Sequence, residues 1–163
     1  MNAHSKDRKT FLLSDNNQLL GELNYETPFY LKAEIKILNT ETYKLAPEGF
    51  FGTSIAVTKD GNKIAGLSMS WNGKIIITFQ DEREYALILS GLFQSQMILE
   101  NKNQENVIQF EPKFNWRDFY CKYDIDYDIT NTNEPNDNLL LLLGIYAANY
   151  FIATISGANA GLM

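Results

Sequence analysis

A repeat of about 43 residues runs through this chain of 163 residues and limits the folds that it can adopt. Six residues in the middle of the chain recur, in type, 42 positions later. They are Tyr43, Leu45, Gly49, Phe51, Ile55 and Val57, matched by Tyr85, Leu87, Gly91, Phe93, Met97 and Leu99. A partial earlier copy places Phe11 and Leu13 44 residues before Ile55 and Val57. A fixed period indicates one structural unit that is used about three times.

Each copy carries the signals of β-strands separated by tight turns. In the middle copy, β-branched and apolar runs are interrupted by Asp60-Gly61 and by Asn72-Gly73, pairs that tolerate the positive φ of hairpin turns. A charged turn from Asp81 to Arg83 separates the next two strands. Four strands in each of three copies predict about twelve strands, and the short connections favour antiparallel neighbours.

A closed barrel accommodates these strands better than a β-propeller, which needs roughly four to eight blades of four strands. Twelve strands that are about 4.8 Å apart and tilted by about 40° give a backbone radius of about 12 Å. The side chains of the wall cannot fill such an interior alone. The barrel therefore needs a further segment at its centre.

The segment from Leu139 to Ile155 has the composition of a helix that is buried on every side. Asp137 or Asn138 is a suitable cap for its first turn, and Gly157 is a suitable residue after its last turn. A helix of this length spans about 26 Å, close to the height of strands of seven or eight residues. We therefore predict a mostly β fold, in which a closed antiparallel barrel of about 12 strands encloses a C-terminal apolar α-helix.

A single domain is expected from this chain length. We predict a disordered tail at residues 1–9, one β-barrel domain at residues 10–156 with its central helix at residues 138–156, and a C-terminal tail at residues 157–163. A membrane-spanning helix is the alternative for the apolar segment. That segment is short, lacks flanking Lys or Arg and contains Asn149, which would be costly in lipid. We expect Asn149 to bond to a wall residue or to a trapped water.

The charge and the cysteine content exclude some functions. A net charge of −6 and a pI near 4.8 argue against a nucleic-acid partner, because such partners are held by clustered Lys and Arg. The densest basic cluster, Lys6, Arg8 and Lys9 around Asp7, is short, mixed and within the predicted tail. Cys121 is the only cysteine, so no internal disulfide can form, and a cytoplasmic location is expected.

Three alternating carboxylates, Asp124, Asp126 and Asp128, are the one series that suggests a metal site. They resemble the opening of an EF-hand loop, but Ile129 stands where Gly is needed and Pro135 where Glu is needed. On a strand such carboxylates lie about 6.8 Å apart, too far to share one ion. We expect a solvated outer face there, with a weak surface cation site as the alternative, and we predict no bound metal and no cofactor.

Nucleophilic catalysis is not expected, because the chain does not supply its parts. His4 is the only histidine and lies in the predicted tail, so a Ser-His-Asp or Cys-His arrangement lacks a rigid frame. Cys121 is expected to be a small wall residue and not a nucleophile. No helix follows the glycines at Gly49, Gly61 and Gly66, as a phosphate-binding loop would require.

Two further groups of residues are candidates for ligand binding or catalysis. Trp71 and Trp116 lie near turns, and packing in the core or at the rim is expected for both in preference to ligand binding. Glu82, Glu84 and Asp118 are carboxylates that an enzyme could use, but nothing in the sequence pairs them. No catalytic residue is therefore predicted.

The motif Y-x-L-x-x-x-G-x-F followed by a hairpin, together with the terminal LLLLLGIYAANYFIA segment, resembles the tubby C-terminal-like superfamily and its LURP-one-related branch. The resemblance covers residues 10–156. It implies a twelve-stranded barrel around a C-terminal helix, a fold similar to that of phospholipid scramblases. Tubby domains bind phosphoinositides through basic residues, but this chain has no Lys/Arg cluster that corresponds to such a site.

These observations predict a non-enzymatic binding or scaffold module whose partner is an unknown protein or a lipid. A membrane-associated phospholipid-binding or scramblase-like protein is the alternative, and a carboxylate-based enzyme is the third hypothesis. Membrane association is not favoured, because the acidic balance of the chain weakens its attraction to anionic lipids.

Overall fold

Twelve strands and one helix make up the computed structural model, which describes residues 1–27, 31–38, 41–49, 54–90, 96–115, 120–127 and 137–155. The strands form a closed antiparallel barrel, which confirms the predicted fold class. In chain order the elements are β1 (Asn2–Ser5), β2 (Thr10–Asp15), β3 (Gln18–Tyr25), β4 (Ala33–Ile37), β5 (Glu41–Glu48), β6 (Ser54–Lys59), β7 (Asn62–Met69), β8 (Ile75–Phe79), β9 (Glu84–Ser90), β10 (Gln96–Asn101), β11 (Asn106–Asn115), β12 (Tyr120–Tyr127) and α1 (Asn138–Ile155).

Each strand pairs with its neighbours in the sequence, and β1 pairs with β12 to close the ring. Because all neighbours are antiparallel, the connections alternate between the two ends of the barrel. Even-numbered strands end where α1 begins, at what we call the lower end of the barrel. Odd-numbered strands end at the opposite side, which we call the upper end.

The first residues of the chain belong to the wall, so the predicted disordered tail at residues 1–9 is wrong. β1 is hydrogen-bonded to both of its neighbours, and the Asp7 side chain orders the turn after it by accepting bonds from the amides of Lys9 and Thr10, each 2.8 Å long. The side chains of β1 that face inward are the small Ala3 and Ser5. The strand therefore lacks the alternation of large apolar residues that identifies a strand in sequence.

The repeat is visible in the wall as four strands per copy. The strand register shifts at Leu13/Ser14 between β2 and β3, at Val57/Thr58 between β6 and β7, and at Leu99/Glu100 between β10 and β11. These three positions are separated by the same 44 and 42 residues as the sequence repeat. Since a β-bulge increases the local twist of a sheet, each copy bends the wall at an equivalent point.

α1 lies inside the barrel, as predicted. It contacts β3 and β4 on one side and β8 and β9 on the nearly opposite side of the ring. Its side chains from Leu140 to Leu143 and from Ile145 to Ala148 are at most 1% exposed. Close approach to the wall requires Gly144, where a Cβ would overlap the ring of Phe110 on β11. No helix in the described part of the chain is long and apolar enough to cross a membrane.

A buried polar network fixes the second half of α1 to the wall. Tyr123 donates a hydrogen bond of 2.6 Å to Oδ1 of Asn149, and Nδ2 of Asn149 donates one of 3.0 Å to the hydroxyl of Tyr25. The Tyr25 ring also stacks on Tyr146, whose hydroxyl donates to the carbonyl of Leu31. Asn149 is thus bonded to wall residues, which confirms the expectation for this residue.

Several predictions concern positions outside the described residues. The helix is described to Ile155, so the predicted boundary at Ser156 and the C-terminal tail at residues 157–163 stay predictions. The other positions of this kind are Phe51, Gly91, Phe93, Trp116, Asp118, Asp128, Ile129, Pro135 and Gly157.

Candidate functional site

A cavity of about 500 Å³ opens at the lower end of the barrel, where α1 begins. The turn between β8 and β9, the adjoining ends of β4, β5 and β6, and the first residues of α1 line it. We call this cavity the end pocket. Its charged and amide-bearing side chains include Glu41, Lys59, Asp81, Arg83, Asp137 and Asn138.

Asp137 connects the start of the helix to the rim of the barrel. Its Oδ1 accepts a hydrogen bond of 3.1 Å from the amide of Leu140, the geometry of an N-cap, which confirms one of the two predicted caps. Its Oδ2 accepts a bond of 2.9 Å from Nη1 of Arg83, and Nε of Arg83 donates one of 2.8 Å to Asp81. The Arg83 guanidinium also lies 4.4 Å from the centre of the Phe79 ring.

Opposing effects act on the charge of Arg83 and Asp81. Burial lowers the pKa of Arg83, but its hydrogen bonds to Asp137 and Asp81 raise that pKa above the ordinary value. Burial raises the pKa of Asp81, but hydrogen bonds from Arg83 lower it by more. Both groups are therefore held in their charged forms.

A second charged pair lies in the end pocket beside the first. Lys59 forms a salt bridge with Oε1 of Glu41, and the hydroxyl of Tyr43 donates a bond of 2.9 Å to Oε2. These two bonds, that of Lys59 first, hold the pKa of Glu41 below its ordinary value. Burial and the neighbouring carboxylate raise the pKa of Tyr43. Nζ of Lys59 also lies 5.5 Å from the centre of the Tyr43 ring.

The charges of the end pocket do not cancel. Its described lining includes three carboxylates, Glu41, Asp81 and Asp137, but two cations, Lys59 and Arg83. In addition, Oδ1 of Asn138 is buried and accepts no hydrogen bond from any described residue. Buried acceptors without a partner are rare in native proteins, because each loses its hydration without compensation.

Two of the three aspartates predicted to form a solvated outer face, Asp124 and Asp126, lie on β12, whereas Asp128 is outside the described residues. Asp124 and Asp126 alternate with the buried Tyr123 and Ile125, as the sequence indicated. Asp124 is paired with Lys113 and Lys122, and these hydrogen bonds lower its pKa. Within the described ranges, no group of three or more His, Cys, Asp or Glu side chains is placed to hold a metal ion.

His4 lies on β1, so the argument that it lacks a rigid frame is wrong. Its neighbours Ala3 and Ser5 face the interior, and the alternation of a strand directs His4 to the outer surface. Cys121 is buried in the wall, where its amide donates a bond of 3.0 Å to Oγ of Ser5. Burial raises the pKa of the Cys121 thiol, which disfavours the nucleophilic thiolate. His4 and Cys121 are thus separated by the wall.

Trp71 contradicts its prediction, because it is 99% exposed at the turn between β7 and β8 and packs neither in the core nor at the rim. Glu82 and Glu84 border a smaller groove of about 280 Å³ beside Lys102. The end pocket could not be identified from the sequence, because its charged residues are far apart in the chain and only the closed ring brings them together.

No protein-family model matches this chain, and no curated protein or solved structure is significantly similar to it. What the structure shows is a twelve-stranded antiparallel barrel with one C-terminal helix, an architecture consistent with a tubby-like barrel. Because a fold does not define a function, the function has to be inferred from the chemistry of the end pocket.

Proposed function

We propose that this protein is a non-enzymatic binding module whose end pocket receives a positively charged group of a partner. The observation that carries the proposal is the unequal charge of the lining, in which three carboxylates face two cations. An ammonium or guanidinium group would balance the remaining negative charge.

The aromatic rings of the pocket support the same ligand chemistry. The ammonium group of Lys59 lies near the Tyr43 ring, and the guanidinium group of Arg83 lies near the Phe79 ring. The lining is therefore suited to cations in general, because ring faces and carboxylates both attract positive charge. The partner that presents the cation is either a protein, through Lys or Arg, or the amine of a lipid headgroup.

The ionisation of the pocket supports binding over catalysis. General acid–base catalysis is most efficient when the pKa of the catalytic group lies near the working pH. Here the pKa values of Glu41 and Asp81 are lowered and that of Tyr43 is raised, so each is moved away from neutrality. A carboxylate-based enzyme, the third hypothesis, is accordingly not our proposal. We also propose membership of the tubby C-terminal-like superfamily and a cytoplasmic location.

Small probes test the charge preference of the pocket directly. We expect ethylammonium and ethylguanidinium to raise the melting temperature of the protein, and acetate and phosphate at equal ionic strength to leave it unchanged. An isolated small cation is expected to bind with a Kd on the order of 1 mM, measurable by NMR titration. Phosphoethanolamine and a Lys-containing peptide then distinguish a lipid headgroup from a protein partner.

Two variants and a control complete this experiment. Glu41→Gln and Asp81→Asn should weaken ethylguanidinium binding several-fold, because each removes one carboxylate from the pocket. Glu105→Gln removes a carboxylate from the turn between β10 and β11, outside the lining of the pocket, and should have no effect. Equal stabilisation by cations and anions, or equal loss in the control, would contradict the proposal.

A further inference from the structure

We infer that the partner of the end pocket is a protein segment in which a Lys or Arg side chain lies close to an apolar side chain. The cation enters the end pocket, and the apolar side chain contacts Leu19 and Leu38 on the rim beside it. This inference rests on the proposed function, because it names the kind of partner that presents the positive charge. It commits to a protein and not to the amine of a lipid headgroup.

Two exposed leucines lie on adjacent chain segments at the lower end of the barrel. Leu19 on β3 is 50% exposed, and Leu38, the residue after β4, is 49% exposed. The hydrogen-bonded ladder between β3 and β4 ends at the pair of Gly21 and Ile37, and both leucines lie just beyond it. Because neighbouring strands are about 4.8 Å apart, one ligand side chain can contact both leucines. We call Leu19 and Leu38 the leucine rim.

The leucine rim is continuous with the end pocket. Leu38 lies in the chain between Ile37 and Glu41, which both line the pocket. Two strand spacings, about 10 Å, separate Leu19 from Glu41. An extended segment covers this distance with about three residues, so one short segment of a partner reaches both the leucine rim and the carboxylates.

The repeat shows that the fold does not require leucine at these positions. In each copy, one residue pairs with the first residue after the register shift, and it is Leu19, Lys63 and Asn106 in turn. Leu38 corresponds to Gln80, 42 residues later. Lys63, Asn106 and Gln80 are polar and exposed. Exposed apolar side chains that are clustered, and not scattered singly, are typical of interaction surfaces.

Leu38 is also held in an unfavourable backbone conformation. Its φ of 40° lies in the left-handed region, which leucine rarely adopts. The other described residues with positive φ, apart from glycine, are all polar: Asn16, Asn17, Asp60, Glu82 and Gln104. In the matching turn of the second copy, the positive φ is at Glu82 and not at Gln80. Such strain is concentrated at functional sites, so it supports a role for the exposed Leu38 side chain in binding.

The charge of the lower end favours a basic protein segment over a lipid. The described connections at this end contain two bases, Arg83 and Lys102, and five carboxylates, Asp60, Asp81, Glu82, Glu105 and Asp137. An anionic membrane surface would be repelled by these carboxylates, whereas a Lys or Arg side chain would be attracted. A phosphoethanolamine headgroup carries its phosphate close to the amine, where the same carboxylates would repel it. It also has no apolar group for the leucine rim.

Peptide titrations followed by NMR test this inference. The probes are Ac-Arg-Gly-Leu-Leu-amide and Ac-Leu-Leu-Gly-Arg-amide, each compared with a counterpart in which both leucines are replaced by serine. All four peptides carry the same charge, so a difference within a pair measures the apolar contact. In the preferred chain order, we expect the leucine peptide to bind about tenfold more tightly than its serine counterpart, because it removes apolar surface from water.

Variants of the leucine rim separate the apolar contact from the binding of the cation. Leu19→Asn and Leu38→Asn should each weaken binding of the leucine peptide about threefold and leave the binding of ethylguanidinium unchanged. Because Asn adopts positive φ more readily than Leu, Leu38→Asn should melt at the same or a higher temperature than the wild type. Trp71→Ser removes an exposed apolar side chain at the upper end and is the matched control, which should bind every probe like the wild type.

The outcomes distinguish this inference from the proposed function. If ethylguanidinium does not bind, both are overturned. If it binds but the leucine and serine peptides bind equally in both chain orders, the inference alone is overturned. Tighter binding of phosphoethanolamine than of either leucine peptide would also overturn it and identify a lipid headgroup. A dimer that Leu38→Asn dissociates would overturn it by identifying a second copy as the occupant of the leucine rim.

Discussion

The two ends of the barrel are built on the same repeated strands, yet they differ in chemistry. At the lower end, Arg83 and Lys59 are paired with carboxylates around the start of α1. At the upper end, Trp71 extends into solvent from a tight turn. Because the same strands reach both ends, the difference between the ends comes from the connections and from the strand residues beside them. Function in this molecule should therefore be sought in the connections.

The largest expected effect concerns the helix that joins the two ends. Ile145 is fully buried at the middle of α1, so Ile145→Asp places an unpaired charge in the core and should cost more than about 5 kcal/mol. Since small domains are stable by about 5–15 kcal/mol, we expect the variant to be unfolded in circular dichroism and in thermal melts.

Phe151→Asp provides the comparison for this variant, because Phe151 is only partly buried near the upper end. It should fold with reduced stability. A folded, soluble Ile145→Asp variant would show that the helix does not occupy the interior, and the comparison of two separate ends would then lose its basis.

The next effect concerns the polar network near the upper end. Asn149→Leu removes one partner of the Tyr123 hydroxyl and one partner of the Tyr25 hydroxyl in the core, so we expect a loss of about 2–3 kcal/mol in chemical denaturation. Tyr146→Phe removes one bond, to the carbonyl of Leu31, and should cost about 1 kcal/mol. If both variants were as stable as the wild type, the upper half of α1 would be held by apolar packing alone.

Smaller losses of stability are expected from substitutions of polar and exposed residues at the two ends. Asp137→Ala removes the helix cap and one partner of Arg83, and should cost about 1–2 kcal/mol. Asp81→Ala removes only an exposed partner of Arg83 and should cost less than about 0.5 kcal/mol.

Trp71→Ser, at the upper end, should be neutral within about 0.5 kcal/mol, because the side chain is exposed. A large loss from Trp71→Ser would mean that the upper turn supports the fold.

The smallest effect is the pH dependence of the lower end. The folded-state pKa values of Glu41 and Asp81 are below their ordinary values of 4.5 and 3.8, so the stability that they contribute is present above those values. It is lost as the pH falls through the lower folded-state values. We expect the melting temperature to fall below pH 4.5, and Glu41→Gln to reduce this fall slightly, because the pair is largely exposed. If the melting temperature of Glu41→Gln fell with pH as steeply as that of the wild type, the pair of Glu41 and Lys59 would be excluded as a source of acid sensitivity.

The wall and the helix could be predicted from the sequence because their signals are local or periodic. Asp60-Gly61 identifies a hairpin without reference to the rest of the chain, and the apolar run from Leu139 identifies a buried helix. β1 could not be predicted, because its inward residues Ala3 and Ser5 are small and its role is to pair with a distant strand.

The end pocket could not be predicted from the sequence, because it forms only when the ring of strands closes. Glu41 and Asp137 are far apart in the chain, and nothing local indicates that both border one cavity. Trp71 was misjudged because the preference of tryptophan for packed positions is an average that one ordered turn can override.

The bulges that recur after Leu13, Val57 and Leu99 give the wall an approximate threefold symmetry, whereas α1 has none. A barrel with three similar sectors offers the enclosed helix three orientations, related by one third of a turn about the barrel axis. Apolar packing alone discriminates weakly among such orientations, whereas a buried polar group is satisfied in only one of them. The hydrogen bonds that join Asn149 to Tyr25 and Tyr123, together with the close fit of Gly144 against Phe110, therefore favour one of these orientations.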